Sequence, residues 1–167
     1  RVGRQFGDYS EYFAGRIAEV AIYAEALDAA RAQSYAAGLL VGCEPGLHAL
    51  LRFDVPGQLV ERVAGTPGRG YGLAWSDLGG GLIPWYAPAL PPLGCVALQL
   101  NGRDAYASFD RGLIPAQRSF TIAVTFWSAP SSGGTQELLS QDAGSNGTAF
   151  YLGCAWQGYI RAGDDWE

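Results

Sequence analysis

The chain has 167 residues, enough for one domain or parts of two. It is 49% hydrophobic and 16% charged, with 24 glycines, a composition that supports a packed core built from strands and tight turns rather than exposed helices. The net charge of −5 excludes the broad basic footprint that nucleic acid or an anionic membrane demands, and no apolar run approaches the ~20 residues needed to cross a bilayer.

Methionine is absent, and all 11 basic residues are arginines. The first absence leads us to expect a processed product or a segment of a longer chain. The second excludes lysine chemistry within the chain, both Schiff bases and Lys–Asn cross-links. Together with abundant Ala and Gly and only Asn101 and Asn146 as asparagines, it points to a GC-rich bacterial source.

Gly15 to Tyr23 reads as the first strand, β-branched residues behind a glycine. One short helix is expected near 25–37, where Leu27, Ala30, Arg31, Ser34 and Tyr35 recur at helical spacing and Gly38 provides a stop. Gly42–Gly46 is the best internal boundary, and Leu47–Phe53 is an apolar strand. Residues 54–92 are Gly- and Pro-rich, with Gly79–Gly81 and Pro91–Pro92 marking irregular loops between a few short strands. Tyr71, Trp75, Trp85 and Tyr86 stand out there. Gly94–Leu100 alternates, Asn101-Gly102 signals a hairpin, and Ala105–Phe109 is its return strand. Ser119–Ser128 is the clearest strand, with Phe120, Ile122, Val124 and Phe126 on one face and Thr121, Ala123 and Thr125 on the other. Glu137–Gln141, Thr148–Trp156 and Gly158–Arg161 complete the series. Period-2 patterning with turn signals about every 8–12 residues reads as an antiparallel two-sheet sandwich or jelly roll.

Cys43, Cys95 and Cys154 make an odd count, so any single pairing leaves one thiol over. Cys43 lies in a loop-like stretch, and Cys154 shares the phase of Phe150 and Leu152 and is expected to be buried. Two readings stand: a Cys43–Cys95 disulfide with a buried Cys154 thiol, or three reduced cysteines acting as small hydrophobes.

Tyr12-Phe13-Ala14-Gly15-Arg16-Ile17-Ala18-Glu19-Val20-Ala21-Ile22-Tyr23, followed by Ala26-Leu27-Asp28, resembles the closing phrase of laminin-G-like domains, F-x-G-x-I-D-E-V-x-I-Y and a short helix. Leu51-Arg52-Phe53-Asp54, Val96 to Tyr106, Ser119 to Trp127, Glu137 to Ser140 and Phe150 to Gly153 resemble the opening and middle of the same family. The resemblance implies an all-β, two-sheet antiparallel jelly roll of the laminin-G or concanavalin-A-like lectin/glucanase type. The family order is reversed. Residues 1–40 match the end of one unit, 41–46 a linker, and 47–167 the beginning and middle of a unit. Three arrangements fit: a slice of a tandem array, a circular permutant, or a subunit completed by a neighbour. Because the sequence stops where central strands would follow, we expect self-association, with Gly15–Tyr23 or the strands near Trp156 open toward another copy.

The family often holds one structural Ca²⁺ through the Asp of the I-D-E-V phrase. Ala18 stands at that position here, so a site would fall to backbone carbonyls with Asp54 or Asp104. Related glycosidases place carboxylates at alternate strand positions, about 5–5.5 Å apart across the cleft. No such triplet occurs here, and Asp164-Asp165-Trp166-Glu167 reads as a turn beside a strand. His48, the sole histidine, reads as a half-buried strand residue without a nucleophile elbow. No C-x-x-C spacing supports zinc. Trp75, Trp85, Tyr86, Trp127 and Trp156 are the candidate ligand contacts, aromatic rings being able to stack on sugar faces; the Pro-flanked Trp85-Tyr86 pair is the better of them, and Trp127 reads rather as packing. The sequence therefore points to a non-enzymatic structural module of an extracellular or cell-surface repeat protein or filament, assembling through strand edges and using no cofactor beyond the calcium considered above. The alternative is an adhesion or carbohydrate-binding module, and a glycoside hydrolase is the third reading.

Overall fold

A computed structural model describes residues 1–5, 11–36, 43–77, 96–115, 119–129, 134–141, 150–154 and 160–163. They form an antiparallel all-β sandwich with one short helix. In chain order the elements are β1 (Ala14–Tyr23), α1 (Ala29–Ala36), β2 (Leu47–Arg52), β3 (Val60–Glu61), β4 (Thr66–Tyr71), β5 (Ala74–Asp77), β6 (Val96–Asn101), β7 (Tyr106–Phe109), β8 (Thr121–Ser128), β9 (Gln136–Gln141), β10 (Phe150–Cys154) and β11 (Ile160–Gly163).

β1 is the axis of the fold. One of its edges pairs with β8 from Gly15 to Tyr23, while the other pairs with β6 over Ala14–Ile17 and with β2 over Glu19–Tyr23. Its side chains switch phase at Ala18. Ile17 lies opposite Phe126 and Glu19 opposite Thr125, which leaves Ala18 as an extra residue, a β-bulge. The bulge puts Ile17, Val20 and Ile22 together in the inner core, while Ala21 and Tyr23 face outward. The Ala18 carbonyl accepts the Phe53 N–H at 3.0 Å just beyond the end of β2. Gly15 is required near the start of the strand, because a Cβ there would lie 2.2 Å from the Trp127 carbonyl oxygen.

The expectation that Gly15–Tyr23 lies open toward another copy is corrected by this arrangement. Both edges of β1 are taken by strands of its own chain, since β2, β6 and β8 carry matching apolar alternation and lie within reach. Among the described residues, β8 pairs only with β1, and β11 is the outer strand of β9–β10–β11.

The second layer is stitched by the N-terminal residues. Val2 bridges Ala107 of β7 and Leu139 of β9, exchanging N–H···O bonds of 2.8 and 3.0 Å with Ala107. The Ser140 N–H donates to the Arg1 carbonyl at 2.9 Å, and the Gly3 N–H to the Leu138 carbonyl at 2.8 Å. β4 passes from one layer to the other, pairing with β3 at Thr66–Pro67 and with β7 at Gly68–Tyr71. Phe13 meets Phe126 edge-on at 5.8 Å and Phe120 meets Phe150 at 5.2 Å, in the apolar cluster that fills the sandwich.

The helix begins at Ala29, later than the Ala-rich run suggests. Asp28 caps it, its carboxylate accepting the Arg31 N–H at 2.8 Å while its carbonyl accepts the Ala32 N–H at 3.0 Å. Glu25 and Leu27 are instead fixed to β8, the Leu27 N–H donating to Thr121 Oγ1 and Thr121 donating to the Glu25 carbonyl. Leu27 and Tyr35 then cover Ala21, Tyr23 and Leu50 on the outer face of the first sheet. β1 is thus buried on both faces from Glu19 onward.

Candidate functional site

Among the described residues, those singled out in the sequence do not gather into one cluster. Trp75 sits half-buried in β5, its ring 6.4 Å from that of Phe53 and packed against the core cluster. Trp85, Tyr86, Cys95 and Trp156 lie outside the described residues, as does the acidic stretch 164–167. Cys43 is a free, exposed thiol, and Cys154 is free and buried, its pKa pushed up by desolvation and then by Glu137. Asp54 is ion-paired with Arg62. Asp104 accepts from Asn101 Nδ2 at 2.7 Å in the β6–β7 hairpin, where Asn101 Oδ1 also collects the N–H groups of Arg103, Asp104 and Ala105. Gly102 turns that hairpin at φ +72°, a conformation that suits glycine. Among the described residues, no three His, Cys, Asp or Glu side chains gather where they could hold a metal ion.

The buried acids serve the fold. Glu61 is fully buried, and its carboxylate accepts the N–H groups of Leu50, Val63 and Ala64 at 2.7–3.0 Å. Glu19 accepts from Arg52 Nε at 2.6 Å. Burial beneath α1, with the Glu19 charge nearby, drives the Tyr35 phenol far above its ordinary range.

A different set of residues forms a concavity. Beside β7 and β9 lies a cleft of about 260 Å³, lined by Arg1, Tyr71, Tyr106, Ser108, Asp110 and Arg111 and backed by Leu139, Ser140 and Gln141. Tyr71 of β4 and Tyr106 of β7 are register partners, and their rings stack at 4.4 Å with 9° between planes. The Arg4 guanidinium lies over the Tyr106 ring at 5.0 Å and the Tyr12 ring at 5.1 Å. Tyr71 is 42% exposed, so the outer part of this stack meets solvent. Asp110, the one carboxylate among the described lining residues, pairs with Arg69 at 3.1 Å. Gln141 is buried and closes the back wall by donating to the Ile114 carbonyl at 3.2 Å and accepting its N–H at 2.8 Å.

Trp127, expected to be packing, is 41% exposed. Its odd position in β8 turns it away from the core that Phe126 joins, and Arg16 lies over its ring at 5.3 Å. No helix among the described residues is long and apolar enough to cross a membrane.

No family model, curated protein or solved structure matches the chain. The cleft's chemistry therefore has to be read from its own residues. Its described residues combine an aromatic surface, a hydroxyl and guanidinium donors, and the only carboxylate among them is already paired. Sequence reasoning missed it because Tyr71 and Tyr106 become neighbours only through the β4–β7 register; their aromatic character was the one local signal.

Proposed function

We propose that the chain is a non-enzymatic carbohydrate-binding or adhesion module of an extracellular or cell-surface protein, bacterial by composition. Its sandwich is read as a jelly roll of the laminin-G/concanavalin-A-like type, with the family's closing strand and helix placed ahead of its opening strands. The observation that carries the function is the Tyr71–Tyr106 stack at the rim of a polar cleft of monosaccharide scale. A rigid, exposed aromatic face binds the apolar face of a sugar ring, and surrounding donors engage its hydroxyls. Hydrolysis of a glycosidic bond ordinarily needs two carboxyl groups flanking that bond. The described lining offers Asp110 alone, and Arg69 holds it.

The test is binding of the full chain to a panel of immobilised polysaccharides, alongside an assay for newly released reducing ends. Retention without turnover is expected, and Tyr71→Ala should weaken retention roughly tenfold or more while the circular dichroism spectrum is unchanged. Retention indifferent to Tyr71, or turnover of any bound polysaccharide, overturns the proposal.

A second reading is favoured by the edges of the sheets. β8 and β11 each have one strand partner among the described residues, the condition under which an added strand from a neighbouring copy continues a sheet. A structural, self-assembling module built on those edges would sediment as oligomers at micromolar concentration. A concentration-independent monomer rejects it.

A further inference from the structure

We infer that the cleft takes an acidic saccharide, a sugar ring carrying a carboxylate. The inference rests on the carbohydrate-binding reading and names the ligand's charge. The chain as a whole is acidic, at −5, yet the charges lining the cleft run the other way. Arg1 and Arg111 both line it. Asp110, the one acid among the described lining residues, pairs with Arg69 from the adjacent strand. No ion pair of Arg111 occurs among the described residues.

Distance decides which charge a ligand feels. Exposed charges are largely screened beyond about 8–10 Å in physiological salt, so a ligand in the cleft feels the charges that line it more than the net charge of the chain. At contact a guanidinium presents two parallel N–H donors that match the two oxygens of a carboxylate. The same cleft has the Tyr71 ring for the apolar face of the sugar and Ser108 for a ring hydroxyl. An aromatic surface beside a guanidinium fits a uronate better than a neutral hexose, which would leave the guanidinium without an anion. It also fits a uronate better than a small carboxylic acid, which would leave the ring without a partner.

The test compares an oligogalacturonide with its methyl ester, which keeps the rings and removes the charge, by titration calorimetry on the full chain. The acid form should bind roughly tenfold tighter at low ionic strength, and most of that advantage should vanish in 0.5 M NaCl. Arg111→Gln should abolish the preference, the acid form losing roughly tenfold in affinity and the ester much less. Arg103→Gln removes the same charge from the exposed hairpin and should change neither. Equal affinity for acid and ester overturns the inference and leaves the carbohydrate reading standing. Competition by acetate or citrate as strong as by the oligosaccharide overturns it in favour of a simple carboxylate. If neither the oligogalacturonide nor any neutral polysaccharide of the panel binds, the carbohydrate reading itself falls.

Discussion

His48 stands half-buried in β2, within the field of the Arg111 guanidinium from the cleft. Desolvation is the larger cause and Arg111 the next, and both press its pKa below the ordinary 6.5, against a smaller upward pull from Glu61. The folded protein therefore binds this proton less readily than the unfolded chain does. The stability associated with the neutral imidazole is fully present above pH 6.5 and is lost as pH falls from there toward the depressed folded value. As His48 is the only histidine, chemical denaturation between pH 7 and 5.5 should show a falling midpoint that His48→Gln flattens. A slope unchanged in the variant would assign the acid sensitivity to carboxylates instead. Glu61 is buried in a different setting, its carboxylate met by three backbone N–H groups.

At the scale of single elements, β1 is the least tolerant of change. Gly15→Ala would drive a methyl group into the Trp127 carbonyl and toward the Phe13 ring, in a backbone conformation that side chains rarely adopt. We expect a loss of about 3 kcal/mol or more in urea unfolding, with Gly57→Ala, whose added Cβ meets nothing within 4 Å, costing far less. Equal losses in the two variants would show that β1 and β8 separate more easily than their register implies. β8 itself was legible in the sequence, because strict alternation reports a face directly. β1 was legible as a strand and not as a pattern of faces. A period of two puts Ile17 and Val20 on opposite sides, and only the phase of β8 shows that Ala18 bulges out to bring them together. The start of α1 was written in Asp28, but the helix-favouring alanines before it carried the reading too far upstream. The cleft was least legible, since β5 and β6 intervene between the strands that bring Tyr71 and Tyr106 together.

For the molecule as a whole, the two halves that read as separate units in the sequence share one core. Ile17 and Val20 from the first segment pack in the same cluster as Leu51, Leu98 and Leu139 from the second. Solvent access to the thiols reports that closure. Native protein should react with iodoacetamide at Cys43 and be protected at Cys154 by about 10³-fold or more, the protection disappearing in denaturant. Labelling of Cys154 alone in denaturant without reductant would instead show Cys43 bridged. The N-terminal strand segment also dictates when closure can happen. Arg1 bonds to Ser140, 139 positions along the chain, and Val2 joins Ala107 to Leu139. At ribosomal rates of about 5–20 residues per second, those first residues wait on the order of ten seconds for their partners to be made. Until then Val2 can bond only to Ala107 of β7, and the second layer lacks the strand that closes it. Folding should accordingly be late, slow and all at once, the behaviour expected when contacts are this distant in sequence. A nascent chain halted before β9 emerges would remain a substrate for holding chaperones rather than a half-built sandwich.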